Sequence, residues 1–400
     1  MNKLKQLEIT FFTAFYIPFC AVYKTALRFA PVKSKQILFS SFPDFSDNSK
    51  ALYQYMLKDP QYSSYNFIWL IRKQDERFPK DQRTSYVTMD SRFHFGISFP
   101  ALAAIASSKI LFYTHSSPIQ KMNEKNGQTV VNLWHGCGYK ARKTPIPKKK
   151  QFDYGLVPGP VFVGIKSKFW GCREEQVIPI GYPRYDQMKN VSEATKAYFK
   201  RLKEGYSKVV LWMPTYRKTE RNEYAVSNMT GYFELPLVNS ADQLREIDRY
   251  CKEKKVLLCV KRHPKQIRYE CEEIGYSNIK FISNQDLDAE IADLYGLFSL
   301  VDGLISDYSS SAIDFLLVDK PMAFSLNDMQ DYGNAQGFVF DDPLKYMPGH
   351  HLYAMADMIQ FLDDVQDGKD PYKNDRKAII QEAHNPCDNY CKRICEFVMK

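Results

Sequence analysis

Short apolar runs alternate along this chain with longer segments of helical spacing, and this alternation limits the fold more than any other feature. Lys208–Trp212 and Val256–Lys261 are rich in Val and Leu, which is typical of parallel strands buried on both faces. Ser192–Glu204, Ala241–Lys254 and Asp286–Leu300 have helical spacing and lie between such runs. Strands that alternate with helices predict doubly wound α/β domains.

The length of the chain and one polar segment predict two such domains. A chain of 400 residues exceeds one ordinary hydrophobic core and suits two. A polar boundary at Ser192–Ser207 separates a domain over 35–195 from a domain over 196–400, and one large α/β domain is the alternative. The predicted strands are Gln36–Phe42, Tyr65–Ile71, Lys109–His115, Thr129–Trp134, Gly155–Val157, Val177–Ile180, Lys208–Trp212, Val256–Lys261, Ile279–Ile282, Gly303–Ser306 and Met322–Ser325.

The amino terminus carries an uncharged stretch over residues 9–23, followed by Lys24 and Arg28. A spanning helix needs about 20 apolar residues, so the stretch is too short to cross a bilayer. It lacks a small-residue cleavage site, and Pro18 would kink a helix. The pattern predicts an amphipathic segment over 1–34 that lies in the plane of an anionic membrane, and a buried first helix is the alternative.

Charge and cysteine content narrow the classes of function. The net charge is +9, and a basic cluster over 140–150 is typical of a site for phosphates. The sequence contains no nucleic-acid-binding module, so we expect no nucleic-acid partner. Nine cysteines without CxxC pairs indicate reduced thiols and no zinc site. The motifs GxxxxGK[ST], GxSxG and HExxH are also absent.

A histidine follows the predicted strand Thr129–Trp134 directly. His135 is succeeded by Gly136 and Gly138, which let the backbone turn tightly, and then by the basic cluster. Ligands of α/β folds bind at the carboxyl ends of strands, so a histidine at this position suits proton transfer near phosphate. The alternative is a structural loop that happens to contain a histidine.

A second histidine ends the strand Val256–Lys261 in the other half of the chain. His263 is surrounded by Lys261, Arg262 and Lys265, and Pro264 ends the strand. A His-Pro pair at a strand end can be a simple turn. Two strand-end histidines, one in each half, favour a site in the cleft between the halves.

A hydroxyl-rich turn follows the predicted strand Gly303–Ser306. Ser306, Asp307, Ser309 and Ser310 lead into an apolar helix whose free N–H groups could bind pyrophosphate, with ordinary helix capping as the alternative.

Two smaller loops also follow strands and contain an arginine. Pro214, Tyr216 and Arg217 belong to one loop, and Arg184 and Asp186 belong to the other. A guanidinium there can bind phosphate or carboxylate in a forked geometry, although an arginine in a loop is usually only solvated.

These strings together resemble the CDP-glycerol glycerophosphotransferase family of teichoic acid and capsule synthesis. The resemblance rests on WHG with His135, KRHP with His263, SDYSS from Ser306, MPTYR with Arg217 and GYPRYD with Arg184, in the same order along the chain. It extends over roughly residues 110–345. After WHG, however, Cys137-Gly138-Tyr139-Lys140 stands where the family often has Thr-Pro-Leu-Lys, which leaves the identity of the acceptor open.

The resemblance implies a GT-B-like fold with two Rossmann-like domains and the active site in the cleft between them. It implies CDP-glycerol as donor, no metal or other cofactor, and peripheral attachment to the cytoplasmic face of the cell membrane. By motif, His135 is the general base and His263 is a pyrophosphate ligand or acid. The donor-binding residues would be Arg217, Lys261, Ser306, Asp307, Ser309 and Ser310, and the secondary ones Gly136, Pro214, Tyr216, Arg184 and Asp186.

The expected activity is transfer of glycerol phosphate to a hydroxyl of a lipid-linked saccharide or polyol-phosphate polymer, with release of CMP. Ribitol phosphate from CDP-ribitol is an alternative, as is a GT-B glycosyltransferase that uses a nucleotide-sugar. A non-catalytic phosphate-binding protein at the membrane is a third possibility, but it leaves the two strand-end histidines unexplained.

Overall fold

The computed structural model describes residues 17–89, 98–118, 127–141, 152–215, 235–261 and 275–400. Two parallel sheets dominate these residues, one of seven strands in the first half of the chain and one of six in the second. This α/β organisation with two Rossmann-like halves agrees with the expected fold class.

The first sheet has the strand order β3-β2-β1-β4-β5-β6-β7, and its neighbouring strands pair in parallel. Consecutive apolar residues Ile37–Phe39 of β1 and Ile110–Tyr113 of β4 are buried, as expected for parallel strands that are covered on both faces. The elements of this half are α1 (Ile17–Leu27), β1 (Lys33–Ser40), α2 (Asp47–Lys58), β2 (Asn66–Ile71), β3 (Thr84–Thr88), α3 (Phe99–Ser107), β4 (Ser108–Tyr113), β5 (Thr129–Asn132), β6 (Tyr154–Leu156), α4 (Phe162–Trp170), β7 (Val177–Ile178), α5 (Asp186–Lys189) and α6 (Glu193–Lys203).

The second sheet has the order β10-β9-β8-β11-β12-β13, which is the order of a Rossmann sheet. Its strands also pair in parallel. Its elements are β8 (Lys208–Trp212), α7 (Ala241–Glu253), β9 (Val256–Lys261), β10 (Ile279–Ile282), α8 (Asn284–Ala289), α9 (Leu294–Leu300), β11 (Gly303–Ser306), α10 (Ser310–Phe315), β12 (Met322–Ser325), α11 (Met329–Gln336), β13 (His350–Leu352), α12 (Met355–Asp367), α13 (Lys373–Ala383) and α14 (Tyr390–Val398).

The predicted strands of the second half agree with β8 to β12 in both bounds, whereas two edge strands were not predicted. β3 lies at the edge of its sheet and has no continuous apolar run, since none of its residues is fully buried. β13 has only three residues, two of them histidines. The predicted helix Asp286–Leu300 was wrong as a single element, because the chain turns at Ile291 with a φ of 55° and begins α9 with Asp293 as its cap.

The last helix, α14, lies against the first half of the chain. The carboxylate of Asp186 accepts the backbone N–H groups of Tyr390 (2.7 Å) and Cys391 (2.8 Å), which satisfies two free donors at the start of the helix. The Phe397 ring packs against Tyr154 at 5.0 Å. The predicted division at 195/196 stays a prediction. Through α14, residues from the end of the chain contact the first half.

The helix α1 is mostly exposed. Its described contact with the first half is an edge-to-face pair between Tyr23 and Phe99, with ring centroids 5.0 Å apart. Val22 is 68% exposed, and Phe29, two residues after the helix, is 86% exposed. Tyr23 and Leu27 of this helix pack against the hydrophobic core, so the described residues do not decide between the two predictions for this segment. Among the residues that the structure describes, no helix has the length and apolar character needed to cross a bilayer.

Candidate active site

The carboxyl ends of the neighbouring strands β4 and β5 bring two histidine rings together. After β5 the chain turns sharply, with a φ of 55° at Trp134, and Asn48 of α2 donates to the Trp134 carbonyl at 2.8 Å. The turn places the His135 ring parallel to that of His115, with centroids 4.2 Å apart and an interplanar angle of 10°. The Trp134 ring lies 4.0 Å from the His135 ring.

One hydrogen bond sets the tautomer of His135. Its Nδ1 lies 3.1 Å from the carbonyl oxygen of Thr114. Because a carbonyl oxygen can only accept, Nδ1 carries the proton and the Nε2 lone pair remains available for proton abstraction. His115 is oriented by its own neighbour, since its Nδ1 lies 2.9 Å from the Thr114 hydroxyl.

Burial keeps His135 neutral. Desolvation, assisted by repulsion from His115, lowers the pKa of His135 to about 4, and the Thr114 carbonyl and Asp47 oppose this only in part. Desolvation lowers the pKa of His115 as well. At neutral pH, both rings are therefore uncharged. An anionic substrate beside His135 would raise its pKa again and so strengthen it as a base.

The loop after His135 is in direct contact with the hydroxyl-rich turn of the second half. Gly136 has a φ of 127°, and a Cβ there would lie 2.6 Å from the Oγ of Ser310. A Cβ at Gly138 would lie 2.8 Å from the backbone nitrogen of Ser310. Only glycine permits such close approach at both positions. The structure thus brings together two of the predicted motifs from opposite halves.

The hydroxyl-rich turn is held by its own side chains. Ser309 caps α10 by accepting the N–H of Ser311 at 3.3 Å, as ordinary helix capping predicts. The Ser306 hydroxyl donates to the Met213 carbonyl at 3.2 Å. Asp307, which is fully buried, accepts from both the backbone N–H and the hydroxyl of Thr215. These bonds fasten the loop with the buried Pro214 to the carboxyl end of β11.

Arg184 lies buried between the two halves. Its guanidinium donates to Asp47 of α2 (2.5 Å) and to Asp314 of α10 (2.6 Å), and also to the His135 carbonyl (3.2 Å). Tyr185 and Tyr295 donate their hydroxyls to the same Asp314 carboxylate. The Arg184 guanidinium therefore binds two partners at once, as predicted, but both partners in this structure are carboxylates of the protein.

The other predicted site residues differ in their placement. Lys261 ends β9 and donates to Asn284 at 2.6 Å, and burial lowers its pKa to about 8. Asp186 has both carboxylate oxygens engaged by α14. His263, Arg217 and Tyr216 lie outside the described residues, so their roles stay predictions. In the described part of the chain, no cluster of three or more His, Cys, Asp or Glu side chains is arranged to hold a metal.

The loop that departs from the family pattern has a structural role. Cys137 is buried and lies 3.2 Å from the Tyr182 hydroxyl. The Tyr139 hydroxyl donates to the Tyr346 carbonyl at 2.6 Å, and the Tyr139 carbonyl accepts from Val339 at 2.8 Å. Tyr139 therefore contacts the second half of the chain, whereas Cys137 is buried against Tyr182 of its own half.

Sequence reasoning missed three residues that shape the site. His115 was included only as the last residue of a predicted strand, although its strand-end position was the same signal that identified His135. Asp47 and Asp314 lie in helices, where a single acidic residue is usually solvated and gives no signal in the sequence. Their burial beside Arg184 depends on contacts between distant parts of the chain.

The loop that follows β5 of the first sheet thus meets the turn that follows β11 of the second sheet. Residues 22–400 match the family described as CDP-Glycerol:Poly(glycerophosphate) glycerophosphotransferase. The chain belongs to this family and is a transferase.

Individual relatives are distant. The chain is 23% identical to a teichoic acid glycerol-phosphate transferase of Staphylococcus aureus, covering 95% of this chain and 97% of that protein. It is 26% identical to a teichoic acid poly(glycerol phosphate) polymerase of Staphylococcus epidermidis over 84% of this chain, and spans 46% of that longer protein. A teichoic acid ribitol-phosphate primase of Bacillus spizizenii is 23% identical, with 80% of each chain covered.

Solved structures support the fold. The wall teichoic acid polymerase TagF gives a TM-score of 0.71 at 21% identity, covering 100% of this chain and 98% of that chain. A variant of the same polymerase soaked with CDPG gives a TM-score of 0.72. At this identity, the likeness shows a shared fold.

Replacing Arg184 tests whether it is a structural bridge or a donor ligand. Arg184→Met would leave the buried Asp314 carboxylate without a cation, so we expect the free energy of unfolding to fall by about 3–5 kcal/mol. Urea denaturation measures this change. Arg173→Met is the matched control, because the Arg173 side chain is 82% exposed. Unchanged stability with a raised KM for the donor would instead make Arg184 a ligand.

Replacing His115 tests its control over His135. His115→Phe keeps an aromatic ring against His135 and removes the group whose positive charge lowers its pKa. We expect the pKa of His135 to rise, so the acid limb of the kcat/KM profile should move to higher pH. Titration of the His135 ring protons by NMR measures the pKa directly. An unchanged titration would leave burial as the only cause of the low pKa.

Proposed function

We propose that this protein transfers glycerol phosphate from CDP-glycerol to a hydroxyl of a lipid-linked or polymeric acceptor in teichoic acid or capsular polysaccharide synthesis, releasing CMP. Membership of the family supports the reaction class. The observation that supports the proposal is the contact of the loop after His135 with Ser310, which brings a strand-end histidine loop of one half to the hydroxyl-rich turn of the other.

The chemistry follows from the free Nε2 of His135. Nε2 takes the proton of an acceptor hydroxyl, and the oxygen attacks the β-phosphorus of the donor. The bond from this phosphorus to the bridging oxygen breaks, its electron pair stays with that oxygen, and CMP leaves. Phosphoryl transfer depends mainly on positioning and charge stabilisation, so the protein must also orient the donor and balance its charge.

Charge on the pyrophosphate must be balanced by the protein. Lys261 lies at the carboxyl end of β9, the same edge of the second sheet as the Ser306 turn. Its pKa of about 8 leaves it mostly protonated at neutral pH, and a phosphate nearby would raise that pKa. By motif, Arg217 and His263 are the expected further ligands.

CDP-ribitol is the second candidate donor. The ribitol-phosphate primase of Bacillus spizizenii has the same 23% identity as the glycerol-phosphate transferase of Staphylococcus aureus, over a somewhat smaller part of the chain. Parallel assays with both CDP-polyols distinguish the two. Release of a nucleoside diphosphate from a nucleotide-sugar, without CMP from either CDP-polyol, would favour a glycosyltransferase.

Replacing His135 tests the proposed mechanism. General base catalysis contributes about 10²–10⁴-fold, so His135→Gln should lower CMP release from CDP-glycerol by at least about 10²-fold. The unfolding transition should remain cooperative. His350→Gln is the matched control, because His350 lies on the edge strand of the second sheet, and it should retain normal turnover. Full activity of His135→Gln would remove His135 from the mechanism.

We also propose peripheral attachment of this protein to the cytoplasmic face of the cell membrane. The exposed Val22 and Phe29 side chains, together with the exposed Arg28, give α1 and the two residues after it apolar and basic groups that suit the interface of an anionic bilayer. The acceptor of the proposed reaction is held by the same membrane.

Vesicle sedimentation tests the attachment. The protein should pellet with vesicles that contain anionic lipid, and Val22→Ser with Phe29→Ser should remain largely in the supernatant, because both remove apolar contact with the interface. Ile291→Ser is the matched control, since Ile291 is 79% exposed in the second half and should not affect pelleting. Equal pelleting of the double variant would refute a role for this segment.

A further inference from the structure

Four neighbouring strands of the first sheet each present one side chain at their carboxyl ends. In the sheet order β2-β1-β4-β5, these are Arg72, Phe42, His115 and His135. The four side chains are in contact one after another. The Arg72 guanidinium lies 4.7 Å from the Phe42 ring centroid, Phe42 meets His115 edge-to-face at 5.8 Å, and His115 stacks on His135 at 4.2 Å. We call this series the aromatic row.

Phe42 is unusual in the row because its ring is 50% exposed. Its loop is nevertheless held firmly. The Ser41 hydroxyl donates to the Pro43 carbonyl at 2.8 Å, and Asp44 accepts from the Arg72 guanidinium at 3.0 Å and from the Arg72 backbone N–H at 2.6 Å. An exposed aromatic ring on a fixed loop beside a catalytic site is a preformed surface for a ligand ring.

From His135 the aromatic row runs through the ends of β4, β1 and β2, on the side of β5 that faces the first strands of the sheet. Gly136 and Gly138, which follow His135, approach Ser310, and Tyr139 and Arg184 also contact the second half. Phe42 lies two strands farther along the sheet, which is about 10 Å from the strand of His135 at ordinary strand spacing. If the donor lies against the Ser310 turn, the base stands between the donor and the row. A substrate on the row is therefore the acceptor.

Charge indicates which part of the acceptor the row would hold. The Arg72 guanidinium is paired with Asp44 and packs against the Phe42 ring. It is therefore less available as a cation for phosphate. Both histidines are held neutral by burial. A neutral ring with an apolar face fits this surface better than a chain of phosphates.

We propose that the aromatic row is the acceptor subsite and that Phe42 stacks against a pyranose ring of a saccharide-containing acceptor. This inference rests on the proposed function and narrows it, because it assigns a lipid-linked saccharide in preference to a polyol-phosphate chain without sugar. His115 then continues the surface from the sugar to the base. The hydroxyl that reacts lies beyond the stacked ring, at Nε2 of His135.

Acceptor kinetics test the subsite. Phe42→Ala should raise the KM for a short-chain lipid-linked disaccharide roughly tenfold, as expected for a truncated central aromatic contact. The KM for CDP-glycerol and the KM for a sugar-free glycerol-phosphate oligomer should stay unchanged. Phe42→Tyr should restore wild-type values. Tyr353→Ala is the matched control, because Tyr353 is 56% exposed in the second half.

Several outcomes would overturn the inference. An unchanged KM for the disaccharide acceptor, or an equal rise for the sugar-free oligomer, would exclude a saccharide platform. A raised KM for CDP-glycerol would place the donor base on Phe42 instead. Saturation-transfer NMR with the disaccharide acceptor measures binding without turnover. Loss of this binding in Phe42→Ala would support the subsite even if no donor gave CMP release, and that second result would refute the proposed function alone.

Discussion

The buried guanidinium of Arg184 is the interaction on which the site depends. It joins Asp47, the first residue of α2 in the first half, to Asp314 of α10 in the second half. A charge of this kind is stable in the interior only when its partners are fully in place. The relative position of the two halves is therefore fixed next to His135, whose carbonyl the same guanidinium binds.

This bridge also explains why the chemistry of His135 is set by packing. The two halves approach so closely at Gly136 and Gly138 that no side chain fits between them and Ser310. Burial, together with repulsion from His115, lowers the pKa of the His135 imidazole to about 4. A base held neutral in this way becomes more basic when an anionic donor enters, so substrate binding itself can activate it.

The sequence predicted the parts of the site that obey a positional rule. His135 and the Ser306–Ser310 turn were found because parallel strands present their carboxyl ends at one edge. The same rule applied to His115, but the predicted strand ended two residues too late and included His115 within it. Asp314 could not be found, since its importance arises from burial against Arg184 and Tyr295, and no local pattern records such contacts. The edge strand Thr84–Thr88 was not predicted for a related reason. It is a strand because it pairs with β2, and its own residues form no buried apolar run.

The loop Cys137-Gly138-Tyr139-Lys140 takes on a different meaning in the structure. Its departure from the family pattern left the identity of the acceptor open, and in the structure Cys137 and Tyr139 are buried against Tyr182 and Tyr346. The Tyr139 side chain therefore joins the two halves, and Gly138 allows the backbone of Ser310 to come near. The residues that can distinguish acceptors lie instead on the open side of His135, where Phe42 is exposed on a fixed loop. Variation among relatives in acceptor choice should then follow the loop after the first strand of the sheet more closely than the loop after WHG.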